Sequence, residues 1–505
     1  MPDRVKDKIL SIDQSTSGTK ALLFDREGNL LGRSDLPHRQ ITPQGGWVEH
    51  DPEEIYRNTV DAAKNLLRET GARPEEVAAL GISNQRETVL AWDRITGEPV
   101  YNAVVWQCSR AEALCRALEN DPRAALVPEK TGLNLSPYFS AAKLSWILQN
   151  APGAKEKMAE GRLCCGTVDS WLVWKLTGGK SFKTDYSNAS RTELFNINAL
   201  EWDQELCGLF GVDPASLPEP CPSDSLFGET DFEGLFLSPI SIRGVLGDSH
   251  GALFGQGCTT PGAAKATYGT GSSVMMNTGE TRAAAKDGLC ASIAWGRGGK
   301  VQYVLEGNIN YTGAVIKWLV SQVGLLQKSR EAGTLAASVP STGGVYLVPA
   351  FTGLGAPYWD SSARAILCGM NAATGKAEIV RAAEECIAYQ VADVVSLMKE
   401  QSRTGFTRLS GDGGPTRDSF LMQFQADMIG FPLQVSKIEE ASGAGAAYMA
   451  GISAGLYDET VLERGGQTVY SPQMSPEERQ ALRDGWNKAV EQARRPVAGR
   501  DNRDT

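Results

Sequence analysis

The chain carries one local pattern twice, far apart, and that repetition limits its fold more than any other feature. Near the start, ILSID is a short apolar strand, STSGTK is a turn rich in Ser, Thr and Gly, and ALLFD is the returning strand. REGNLLGRSDL adds a second turn and another strand. Between Val245 and Gly279 an apolar segment ends in Asp248, and KATYGTGSSVMMNTG repeats strand, small-residue turn, strand. In 505 residues this pattern predicts an α/β protein of two domains with unequal insertions, joined near residues 240–255. The expected boundaries are 1–247, 248–470 and a terminal helix with a polar tail over 471–505.

Helices punctuate both halves. Asp51 suits an N-cap, Pro52 the first helical position and Glu54 a capping box, with Gly71 as the stop. Ile55, Thr59, Ala62, Leu66 and Leu67 then share one face. VAALGISNQRETVLAWD reads as two strands around a polar turn. From Glu378 to Met398, apolar residues at 380, 383, 387, 391, 394, 395 and 398 fall at helical spacing. Residues 475–495 predict a last helix with Leu482, Trp486 and Val490 on one side, and the segment after Pro496 is expected to fray.

Several function classes fall away early. No apolar run approaches the roughly 18–20 residues of a membrane span. The N-terminus lacks a signal peptide's apolar core, so the expected location is the cytoplasm. A net charge of −10 repels phosphate backbones and disfavours nucleic acid as a partner. Ten scattered cysteines without a CxxC pair, and only three histidines, predict free thiols and no zinc site.

Chemistry must then come from other residues. LTGGKSF fails the Walker A loop because Trp174 stands where a glycine is required. Three other turns can cradle phosphate. The first is Asp13 followed by Gln14-Ser15-Thr16-Ser17-Gly18-Thr19-Lys20, in which hydroxyls and backbone N–H groups can face phosphate oxygens while the carboxylate holds Mg²⁺ through water. The second is Gly269-Thr270-Gly271-Ser272, and the third is Ser410-Gly411-Asp412-Gly413-Gly414. Each alone reads equally as a polar turn; three across two similar halves are a nucleotide signal.

The stretches DQSTSGTK, GISNQRETVLAWD, YNAVVWQ, SPYFSAAKLSWIL, GTVDSWLVWKLTGG, DYSNASRTELFNI, GDSHGALFGQ, TYGTGSSVMMNTG, FTGLGAPYWD, DGGPTRDSFLMQFQAD and GAGAAYMAG run in order from residue 8 to about 456. In these the chain resembles the FGGY carbohydrate kinases, and within them the glycerol-phosphorylating branch. The resemblance implies two actin-like (ribonuclease H-like) ATPase domains with a cleft between them, ATP and Mg²⁺ as cofactors, and transfer of the γ-phosphoryl to a primary alcohol. By the same resemblance Asp248 is the catalytic base and Asp13 the Mg²⁺ anchor. Thr16, Ser17, Gly18, Lys20, Gly269, Thr270 and Gly271 cradle phosphates, and Gly313, Lys317, Gly413, Gly414 and Asp418 hold the nucleotide. Lys317 replaces the family's usual glutamine and Asp418 its usual asparagine.

For the acceptor, the resemblance points to Arg86, Glu87, Trp106 and Tyr138 beside Asp248, a charged pair for vicinal hydroxyls and an aromatic wall for their carbons. Two positions depart: Ser249 stands for a glutamine and Ser273 for a phenylalanine, which makes room for a larger polyol or ketose. Glycerol and a somewhat longer substrate both stay open. The rival reading is an actin-like ATPase that switches conformation without a small-molecule acceptor, yet it gives no reason for Arg86, Glu87 and Asp248. A homodimer or homotetramer is expected.

Overall fold

The computed structural model describes residues 6–495 apart from 403, 439 and 465; the expected frayed tail after Pro496 lies outside them. Two large sheets are built to one plan. In the first, six-stranded sheet, Lys8–Gln14 pairs antiparallel with Gly18–Phe24, which pairs antiparallel with Leu30–Pro37. On its other side Lys8–Gln14 runs parallel to Val77–Asn84, and that strand parallel to Ile240–Gly247. The seven-stranded sheet repeats this. Ala263–Tyr268 pairs antiparallel with Ser272–Gly279, and that strand with Lys300–Ile309. Ala263–Tyr268 then runs parallel to Arg408–Asp412, and that strand parallel to Leu433–Ser436.

The plan decides where chemistry can sit. In both sheets a tight turn follows the central strand, and further turns follow the parallel strands at the same, carboxyl-terminal edge, where open α/β sheets bind ligands. In the first sheet those edges carry Asp13, Arg86 and Asp248; in the second, Tyr268 and Asp412. A four-stranded insertion sheet is formed by Glu49–His50, Ala103–Val104, Val89–Asp93 and Leu163–Thr167, and the loops of Trp106 and Tyr138 lie in the chain between its strands Ala103–Val104 and Leu163–Thr167.

The helix after Asp51 spans Pro52–Thr70, with the Asp51 side chain accepting the Glu53 N–H at 2.9 Å and Gly71 at φ 68° closing it. The five face residues read from the sequence are all buried. Glu54, however, forms no capping box: its carboxylate accepts the Arg39 N–H instead, at 3.3 Å. An N–H from the neighbouring chain segment competed successfully for that side chain. The long second-half helix runs Lys376–Gln401 and the last one Pro476–Ala493.

One element crosses over. Helix Ala441–Ser453 comes late in the chain yet packs on the first sheet and on helix Asp248–Gly255. Its small residues allow backbone-to-backbone approach: a Cβ on Gly445 would meet the Gly251 carbonyl oxygen at 1.9 Å. The late half therefore lends a wall to the early one. All ten cysteines are free. No helix among the described residues is long and apolar enough to cross a membrane.

Candidate active site

A cleft of about 940 Å³ opens between the sheets, lined by Asp13, Lys20, Asp248 and Ser249 from the first half and by Lys265, Asp412, Gly413 and Gly414 from the second. Gly413 is glycine for a reason. At φ 96° it lies in left-handed backbone, and a Cβ there would meet the Tyr268 carbonyl oxygen at 2.0 Å. A second cavity of about 550 Å³ adjoins through Gly414 and Arg417 and is lined by Gly269, Thr270, Gly313, Lys317 and Asp418 among others.

Asp13 ends the central strand, with its side chain buried and its Oδ1 without a hydrogen-bond partner. Burial pushes its carboxyl up to about 6 against the pull of Lys20, and the charges of Asp248 and Glu440 add to the rise. Lys20 lies 3.6 Å from Asp13 and also pairs with Glu440, which in turn takes Arg33 at 2.7 Å. Lys265 is 1% exposed and donates to Thr267 Oγ1 at 2.7 Å; burial lowers its pKa although Asp412 opposes. No group of three or more His, Cys, Asp or Glu suited to a metal occurs among the described residues.

Beside Asp248 lies a buried ionic network that spans both halves. The two terminal nitrogens of Arg86 bind the Glu306 carboxylate at 2.9 and 2.8 Å. Arg191 reaches Glu306 at 3.0 Å and donates to Glu87 at 2.6 Å. Burial alone would raise the Glu306 carboxyl, but Arg191 and Arg86 hold it well below its ordinary value. Arg86 Nε turns outward to Asp248 Oδ1 at 3.3 Å, and that carboxylate is 36% exposed. Asp248 is thus the one acidic side chain of the network open to the cleft.

Strain marks the same place. Glu87 sits at φ 60° although it is not glycine, bracketed by a Thr88 N–H to Arg86 carbonyl bond of 2.7 Å. A turn of this hand is rare and costly, and such strain concentrates where side chains must be aimed. Trp106 and Tyr138 meet edge to face with centroids 5.5 Å apart, and Trp106 donates its indole N–H to Thr16 at 2.9 Å. Lys143, fully buried, donates to the Pro137, Tyr138 and Phe139 carbonyls and so folds the loop that presents Tyr138.

Residues 8–255 match the N-terminal domain, and residues 264–454 the C-terminal domain, of the FGGY family of carbohydrate kinases. The chain belongs to that family. It is 48% identical over 496 residues to a glycerol kinase of Symbiobacterium thermophilum, covering 97% of this chain and 99% of that one. Glycerol kinase 1 of Thermotoga maritima is 48% identical over 487 residues, covering 95% and 98%. A Plasmodium falciparum glycerol kinase solved with ADP superposes at a TM-score of 0.92 with 37% identity, covering 97% and 98%. A xylulose kinase of Lactobacillus acidophilus, at 21% identity over 96% and 97% of the two chains, shares the fold at a TM-score of 0.85. As an FGGY kinase the chain is an ATP-dependent phosphotransferase acting on a small carbohydrate or polyol hydroxyl. An ATPase switch without an acceptor is not favoured.

Within this family frame, eleven of the residues read from the sequence line the two cavities. Asp13, Lys20, Asp248, Ser249, Gly413 and Gly414 meet at the cleft, and Gly269, Thr270, Gly313, Lys317 and Asp418 at the second cavity. Thr16, Ser17, Gly18 and Gly271 line neither: Thr16 is engaged by Trp106, and Gly18 and Gly271 are packed against the Leu36 and Ile309 carbonyls. Ser273 already donates its hydroxyl to Glu306 at 3.1 Å, whereas that of Ser249 has no hydrogen-bond partner among the described residues. Glu306, Arg191, Lys265 and Glu384 escaped sequence reading. Lys265 and Glu306 are charged residues inside apolar strands and Glu384 falls at helical spacing from buried Val380 and Ile387, whereas Arg191 sits in a turn and carries no such pattern.

Proposed function

We propose that the chain transfers the γ-phosphoryl of ATP to a terminal hydroxyl of glycerol. The observation that carries this is Asp248, held at 3.3 Å by a guanidinium whose other face is locked on Glu306, yet open to the cleft. Arg86 and the Trp106–Tyr138 wall orient a neutral polyol, and Asp248 accepts the hydroxyl proton. As that oxygen bonds to the γ-phosphorus, the bond from phosphorus to the β–γ bridging oxygen breaks and ADP leaves. Lys20 and Lys265 bring positive charge to the phosphates, and the small-residue turns let the backbone approach them.

Asp13 fits Mg²⁺: it offers one buried, uncommitted oxygen, and Mg²⁺ keeps most of its water and takes few protein carboxylates. Such an ion supplies neutralisation of charge on the transferring phosphates. The nucleotide's base and ribose occupy the 550 Å³ cavity. The protein works in the cytoplasm as a homodimer or homotetramer, a state that light scattering reads directly.

A second reading, a polyol or ketose of four or five carbons, is favoured by Ser249, whose free hydroxyl can meet an added substrate hydroxyl. Substrate-dependent ADP release measured across three- to six-carbon polyols and ketoses tests both readings. Release with glycerol alone supports the first, preference for a longer acceptor supports the second, and release with none of them contradicts both.

A further inference from the structure

The 550 Å³ cavity holds a side chain that phosphoryl transfer does not use. Glu384, on the buried face of helix Lys376–Gln401, is 3% exposed and lines that cavity. Among the described residues its carboxyl makes no hydrogen bond and no ion pair. The other carboxylate there is spent. Asp418 Oδ1 accepts the Phe420 and Leu421 N–H groups at 2.9 and 3.2 Å, capping helix Ser419–Ile429. The Asp418 carboxyl also fills the space that a Cβ on Gly333 would need. Lys317, Arg330 and Arg417 line the cavity without pairing to Glu384.

A carboxyl removed from water with no partner is costly, and a ligand that supplies one recovers the loss. Burial, with the charge of Asp418 adding, pushes the Glu384 carboxyl up to about 8, so near neutrality it is chiefly an acid with one donor and one acceptor. Ile316, Ile387 and Leu421 make apolar wall around it, suited to a flat ring. A ring that brings an amino donor next to a nitrogen acceptor answers both atoms of the acid, and adenine has such an edge.

We propose that Glu384 reads the base of the bound nucleotide, accepting a hydrogen bond from the adenine amino group. The inference rests on the reading of this cavity as the nucleotide site. It makes Glu384 a specificity-determining residue that the phosphate turns cannot replace, because those turns touch nothing that distinguishes one base from another.

Calorimetric binding of ADP and of purine riboside 5′-diphosphate, which lacks only the amino group, tests this without turnover. The wild type should bind ADP about tenfold more tightly or better. Glu384→Leu should bring the two affinities together, and Glu384→Gln, which keeps an acceptor, should retain most of the preference. The leucine variant exchanges an unpartnered acid for an apolar side chain, and thermal melting verifies that both variants fold. An unchanged ADP preference in Glu384→Leu would overturn the assignment while leaving the nucleotide cavity standing. Failure of the wild type to bind ADP would overturn the nucleotide reading and this inference with it.

Discussion

Arg86 and Glu306, 220 residues apart in the chain, form a two-pronged ion pair at 2.9 and 2.8 Å that ties the end of a first-sheet strand to the middle of a second-sheet strand. Both side chains are buried, so the pair has no water to fall back on if one partner goes. It also fixes which way the Arg86 Nε points, and hence where Asp248 stands.

Glu306→Gln should therefore act on the acceptor side of the reaction more than on the nucleotide side. The amide keeps the shape but leaves Arg86 and Arg191 without their shared negative charge. Removing one partner of a buried pair costs about 3–5 kcal/mol, and part of that loss should appear as a lower melting temperature. Steady-state rates should show kcat/KM for the polyol reduced at least about tenfold, with ADP affinity within about twofold of wild type.

Ser249 offers a separate handle on the acceptor. Ser249 is half-buried at the cleft, and a hydroxyl left unpaired when a substrate closes over it costs about 1–3 kcal/mol, roughly ten- to hundredfold in selectivity. Ser249→Gln removes that hydroxyl and refills the space, so it should raise the ratio of kcat/KM for glycerol over that for a five-carbon polyol. Ser273→Ala should instead resemble a weak Glu306 lesion, lowering both rates together, because its hydroxyl is committed to Glu306 at 3.1 Å.

Glu384 predicts a pH signature in the ligand-free protein. Its folded-state carboxyl sits at about 8, far above its ordinary 4.5, because of burial and then of Asp418. Between those values the folded chain binds more protons than the unfolded chain, so stability is fully present below about 4.5 and is lost as pH rises through about 8. In Glu384→Leu that loss is absent. Melting curves across this range should show the variant gaining on wild type as pH rises; a constant gap would contradict the assigned environment.

Local signals made much of this legible. The helix from Asp51 to Gly71 announces both ends within its own sequence, and the three turns read as phosphate cradles stand out as local strings of small residues. What stayed hidden depends on distant partners. Glu54 looked like a capping box, but Arg39 was there to take it. Helix Ala441–Ser453 gave no hint that it would lie on the first sheet, because the glycines and carbonyls it fits against come from strands and a helix far upstream. Glu306 reads as one charge in an apolar strand until folding brings Arg86 and Arg191 onto it.

The central claim is that Asp248 takes the proton from the acceptor hydroxyl, and one variant tests it directly. Asp248→Asn keeps the size of the side chain and can still hold the Ser249 N–H, but it cannot act as a base. General-base assistance is worth about 10²–10⁴-fold, so polyol-dependent ADP release should fall by that factor while calorimetric ADP affinity stays nearly unchanged. Wild-type turnover in Asp248→Asn with the preferred acceptor would contradict the account.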